Sequence, residues 1–216
     1  MPPVSGRTLS HVSYVQPGSA PATFYLERTD EDVHEPDSVA DAPLVGFDAF
    51  LPDRRIYGWV RLSAERLTDL LNAHAELTLV NVQVERLSDG RVELHDRLVL
   101  ARDELVAVRA GGPRGDPALR QSMRLHPLAV RSGPYLMSGY LHAHHGLPPL
   151  VEIEGRPSMT PLSSASLEYW SDGQRRLQWS GTILFNRART DSIEVVRDED
   201  LEYGGMRIDD GGAVGG

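Results

Sequence analysis

Residues 58–108, "GWVRLSAERLTDLLNAHAELTLVNVQVERLSDGRVELHDRLVLARDELVAV", decide the fold through what they share with residues 139–196. Each stretch opens with glycine, an aromatic and an aliphatic: Gly58-Trp59-Val60 against Gly139-Tyr140-Leu141. Each carries Ser-Asp-Gly further on, at residues 88–90 and 171–173. Before that turn Leu79 matches Leu162, Val82 matches Ala165, Val84 matches Leu167 and Glu85 matches Glu168. After it, Leu98-Val99-Leu100 matches Ile183-Leu184-Phe185, each followed two residues on by an arginine. Val106-Ala107-Val108 is aligned with Ile193-Glu194-Val195. Self-similarity of this length sets the architecture before any single element is read.

Periodicity gives the elements of one copy. "RRIYGWVRL" alternates and is rich in β-formers, so it reads as a strand. "SAERLTDLLNAH" reads as a helix with Leu67, Leu70 and Leu71 in a stripe. Ser63 stands as its cap, and Arg66 sits where a capping box would hold Glu. "LTLVNVQVERL" alternates with room for one bulge. Asp89-Gly90 is a two-residue hairpin signal, and "RVELHDRLVLA" and "ELVAV" complete the unit. In the second copy Pro148, Pro149 and Pro157 limit the helix to a turn or two.

The fold expected is therefore mainly β with short helices, an α+β chain. It consists of two tandem small, strongly bent β-sheet or barrel units, each with one short helix or helical turn. A unit of about 50 residues is near the lower limit of independent stability. Packing two together shares a core, and closing each sheet protects its edges. The domain plan has a low-order segment with one short strand over 1–43, a first β-repeat over 44–110 and a turn-rich linker over 111–117. A second repeat over 118–197 and an acidic, glycine-rich tail over 198–216 follow.

"RLTDLLNAHAELTLVNVQVE" and "MTPLSSASLEYW…GTILFNRARTDSIEVV" resemble a bacterial family of small Sm-like barrel domains. Its pattern runs from a strand through an "RLSD-x-LN" helix to a "PLTDA-x-V" strand, and a last strand ends in Asn-Arg or Asn-Lys. Arg66, Leu67, Asp69, Leu71 and Asn72 match the helix part in the first copy. Pro161, Leu162, Ala165 and Leu167 match the strand part in the second, with Asn186 and Arg187 at its exit. The resemblance implies the fold and adds no activity.

Composition narrows the chemistry. The 216 residues are 40% hydrophobic and 25% charged, enough for a packed core. No cysteine is present, which removes disulfides, thiolate metal sites and a cysteine nucleophile. All 22 basic residues are arginine, which removes Schiff-base lysines and the lysine of a phosphate-binding loop. A net charge of −9 argues against nucleic acid, which wants a basic face. No apolar run reaches the roughly 18–20 residues of a membrane span. The first ten residues lack the pattern of a secretory signal, so the cytoplasm is the expected location.

"GYLHAHHG", residues 139–146, is the densest candidate site. On a strand His142 and His144 share a face, and two imidazoles at i, i+2 can chelate a zinc or other divalent ion. His126 is the expected third ligand, with Glu152 and Glu154 as alternates. Such a site would support a metal-dependent hydrolase. Alternatively the histidines are polar residues of an exposed strand end, as Arg61 is at the matching place. His34-Glu35-Pro36-Asp37 offers further ligands in an acidic loop. His74 and His95 read as isolated surface or half-buried residues, and Asp69 and Asn72 read as contacts to solvent or a loop. Ser132 belongs to a turn and lacks a nucleophile's Gly-x-Ser-x-Gly frame. Trp59, Trp170 and Trp179 read as core or subunit-contact residues.

No complete catalytic set emerges. The leading expectation is a non-enzymatic protein-binding or self-assembly module, a homo-oligomer or partner-protein adaptor. A metal-dependent hydrolase at His142, His144 and His126 is the first alternative, and an Sm-like nucleic-acid-binding barrel the second.

Overall fold

The computed structural model describes residues 42–112 and 123–201. The strand expected within 1–43, the His34 group, most of the 111–117 linker and the tail beyond Leu201 lie outside the described residues. The expected tail is described only at its start, where residues 198–200 make a 3-10 turn and Leu201 is buried.

The chain is mainly β. Its strands are β1 (Leu44–Phe50), β2 (Arg54–Arg61), β3 (Glu76–Arg86), β4 (Val92–Ala101) and β5 (Ala107–Ala110) in the first half. The second half has β6 (Met123–Ser132), β7 (Tyr135–His144), β8 (Met159–Ser171), β9 (Gln174–Asn186) and β10 (Ser192–Val195). Two short helices, α1 (Leu67–Ala73) and α2 (Pro149–Glu154), each join the second strand of a half to the third. No helix among the described residues is long and apolar enough to cross a membrane.

All ten strands form one antiparallel sheet, ordered β10-β6-β7-β8-β9-β5-β1-β2-β3-β4. The sheet does not close on itself, so the expectation of two bent sheet or barrel units holds only in its coarser form, a mainly β chain with few helices. Both halves follow one internal order, fifth-first-second-third-fourth, and β5 pairs with β9 to join them through Ala107↔Phe185, Val108↔Leu184 and Arg109↔Ile183.

The repeat extends to backbone irregularities. The β2–β3 register shifts between Tyr57 and Trp59, and the β7–β8 register shifts between Ser138 and Tyr140. Gly58 and Gly139 sit at these shifts, opposite Asn81 (φ 49°) and Ser164 (φ 45°). Both glycines are there because the facing strand is close. A Cβ on Gly139 would lie 2.9 Å from the Ala165 Cβ and 3.0 Å from the Ser163 carbonyl oxygen. A Cβ on Gly58 would lie 3.2 Å from both the Val80 carbonyl oxygen and the Val82 side chain.

Three local expectations change. The helix of the first copy starts at Leu67, too late for Ser63 to cap it; Arg66 stands at the cap position and bonds Asp69 through both carboxylate oxygens at 2.8 Å. Burial of Leu67, Leu70 and Leu71 sets where the helix lies. The two-residue hairpin forms at Asp172-Gly173, where both φ values are positive, and not at Asp89-Gly90. There the loop widens, because Leu87 is pulled into the second half's core and donates its N–H to Asp53 while accepting from Asp172. Finally, pairing to β1 and β6 matches Val108 with Ile193, two residues from the sequence alignment. In so short a strand, hydrophobicity leaves a slip of two residues unresolved, because the same side chains keep the same face.

The two cores are interlocked. The first contains Met159 and Leu184 from the second half, and the second contains Phe50, Leu87, Val106 and Ala107 from the first. A buried polar knot lies beside the junction. Asp48 accepts from Arg55 at 2.8 and 2.9 Å and from Arg109 at 3.0 Å. Burial alone would push the Arg55 guanidinium down, but its bonds and charge contact with Asp48 outweigh this and hold it above its ordinary value.

Candidate functional site

The histidine stretch lies on β7. Partners across an antiparallel pair share a face, and β6 places Leu125 opposite His142, Met123 opposite His144 and His126 opposite Leu141. His126 therefore lies on the Leu141 side of the sheet, whereas His142 and His144 lie on the other. The strand period, applied to both strands at once, separates the expected ligand set. Among the described residues no group of three or more His, Asp or Glu side chains is placed to hold a metal ion.

The histidines instead meet partners from their own half. His142 Nε2 lies 2.8 Å from Ser163 Oγ on β8. Glu152 on α2 accepts from the His144 backbone N–H at 2.7 Å and from Arg156 at 2.6 Å, and its Oε1 lies 3.1 Å from His144 Nδ1. Burial alone would raise the Glu152 carboxyl, but these bonds hold it below its ordinary value. Arg156 also donates to the His142 carbonyl. Glu154, the other alternate ligand, offers its backbone carbonyl to Arg187.

The other candidates are dispersed. His74 closes α1 by donating its N–H to Leu70, and His95 lies exposed on β4 near Glu93 at 3.9 Å. Ser132 is buried and bonds the Arg189 carbonyl, a structural tie. Trp170 and Trp179 are exposed on β8 and β9, so of the two expected places, core or subunit contact, they do not occupy the core. Asn72 does tie down a neighbouring element. Its Nδ2 donates to Thr68 and Met159 carbonyls and its Oδ1 accepts from the Met159 N–H, all at 3.0 Å. This fixes α1 of the first half to β8 of the second.

That clamp borders a cleft of about 1070 Å³, walled by α1 and residues 110–112 on one side and by β7, α2, β8 and β9 on the other. His142, Ser163 and Thr182 form one wall, across three neighbouring strands. The matching positions of the first half, Arg61, Val80 and Arg97, line a smaller hollow of about 330 Å³. Repeat comparison pairs His142 with Arg61 from the sequence, but the cleft needs α1 of the other half, which no local pattern reports.

A second feature is the pair of sheet edges that carry no further strand among the described residues. β4 and β10 end the sheet. Val99 on β4 is 58% exposed, while its repeat counterpart on β9, Leu184, is fully buried against β5. Val195 on β10 is also half exposed. No family model, curated protein or solved structure matches the chain.

Proposed function

We propose that this protein is a self-assembly module in which β10 of one copy pairs with β4 of the next. The observation that carries the reading is the internal junction. The fifth strand of the first half already pairs with the fourth strand of the second, and the two edges left over are the fifth strand of the second half and the fourth strand of the first. Applying the same register would set Ile193 opposite Val99, as Val108 is opposite Leu184. It would bury apolar side chains that stand exposed in the single chain, and it would satisfy two rows of edge N–H and C=O groups. Such a head-to-tail contact is heterologous and closes into a ring or runs on as a filament, according to the rotation per copy. Each half acts here as a strongly bent unit of the small Sm-like kind. The strand order repeated in both halves, and the bulges repeated at Gly58 and Gly139, support that description.

Light scattering coupled to size exclusion tests the reading. The wild-type chain should elute at a multiple of 23.8 kDa. Val99→Asp and Val195→Asp place a charge on each exposed edge, and each should shift the protein to the single-chain mass with its melting temperature little changed. A wild-type protein that stays at the single-chain mass at high micromolar concentration would remove the proposal.

A further inference from the structure

We infer that the cleft between α1 and α2 binds a small molecule with an apolar body and a carboxylate head. Its volume, about 1070 Å³, is at the upper end of ligand pockets and far above a packing gap. Its walls are set before any ligand arrives, because the Asn72 clamp holds α1 on β8. The apolar side comes from Leu147 and Val151 at α2, both about half exposed, together with Met159. Exposed aliphatic side chains gathered on the rim of one concavity are what an apolar ligand body would cover.

The head-group chemistry follows from what remains unused. Glu152 lines the cleft, but donors from His144 and Arg156 already occupy its oxygens. Asp69 is likewise taken, its two oxygens accepting from Nε and Nη2 of Arg66. Arg156 is different. Its side chain is only 19% exposed, and Nη2 alone makes its bonds, to Glu152 and to the His142 carbonyl. Among the described residues no acceptor engages its Nε or Nη1. The guanidinium is thus held in place by one nitrogen and offers its other N–H groups, and Thr182 also lines the cleft. Held donors and occupied acceptors select an acceptor-rich, anionic head. The matching hollow of the first half is smaller and has Arg61, Val80 and Arg97 in place of His142, Ser163 and Thr182, so the site belongs to the second half alone.

Titration calorimetry with octanoate, dodecanoate and octanol tests this on the full chain. Octanoate and dodecanoate should bind at one site per chain, and octanol, which keeps the body and loses the charge, should bind about tenfold more weakly or worse. Arg156→Gln should weaken octanoate about tenfold and leave octanol unchanged. Val151→Asp, at an exposed position that spares the fold, should weaken both carboxylates. Val99→Asp, outside the cleft, should bind as wild type whatever its state of assembly, which separates this inference from the assembly reading. Absence of saturable carboxylate binding, equal binding of octanol and octanoate, or an Arg156→Gln protein that binds octanoate as wild type would each overturn it.

Discussion

Asn72→Ala should cost this protein far more than a surface helix substitution does. The side chain makes three hydrogen bonds at 3.0 Å, and two of them cross from the first half to the N–H and C=O of Met159 in the second. Met159 is buried, so water does not readily replace what alanine removes. Each lost bond is worth about 1 kcal/mol net, and a buried backbone group left without a partner costs about 1–3 kcal/mol. Met159 faces Asn186 at a non-hydrogen-bonded position of the β8–β9 ladder, where Arg187 bonds Ser158 and the Asn186 N–H goes to Val106, so the sheet does not take over the bonds that Asn72 makes. The expected loss is about 2–4 kcal/mol. Equilibrium urea unfolding, followed by tryptophan fluorescence and by circular dichroism, measures it. Glu65→Ala, exposed just before the same helix, is the control and should stay within about 0.5 kcal/mol of wild type. Asn72→Asp keeps one acceptor but places a carboxylate against the Thr68 and Met159 carbonyls, so it should be no more stable than Asn72→Ala. A loss below about 1 kcal/mol in Asn72→Ala would refute the clamp, and with it the view that the cleft is held open by design of the junction.

Other expectations follow from the same structure. Because each core contains residues of the other half, unfolding should be one cooperative transition with coincident probes; two separated transitions would contradict interlocked cores. Gly139→Ala should destabilise by about 1–3 kcal/mol, and more than Gly58→Ala, since the added Cβ meets its neighbours at 2.9 Å instead of 3.2 Å; a reversed order in thermal melts would refute the close-approach argument. Asp48→Ala leaves Arg55 and Arg109 without their shared carboxylate and should cost about 3–5 kcal/mol in chemical denaturation. Glu152 has a depressed carboxyl value, so its contribution is fully present above the ordinary value of 4.5 and is lost as the pH falls through the folded one. Glu152→Gln should therefore flatten the acid limb of a stability–pH curve below about pH 4.5; an unchanged limb would count against the His144–Glu152–Arg156 network.

Much of each half was legible because local chemistry wrote it twice. The Leu67, Leu70 and Leu71 stripe marked α1, and alternation marked β2 and β3 with the bulge that appears at Asn81. Pro148 and Pro149 limited α2, and Pro149 opens it, where a missing N–H costs nothing. The candidate site was legible in part. His142 and His144 do share a face, but the third expected ligand does not, since the face of His126 depends on the pairing of two strands and not on the pattern of one.

The sequence alone, then, determined element type and repetition, because side-chain period and turn chemistry act over a few residues. Only the tertiary structure decided that β5 pairs with β9, that Leu87 enters the other half's core and that Asn72 grips Met159 to wall a cleft. These contacts join residues about 80 positions apart. They are selected by which buried surfaces and unpaired strand edges meet once both halves have formed, and no local period encodes that meeting.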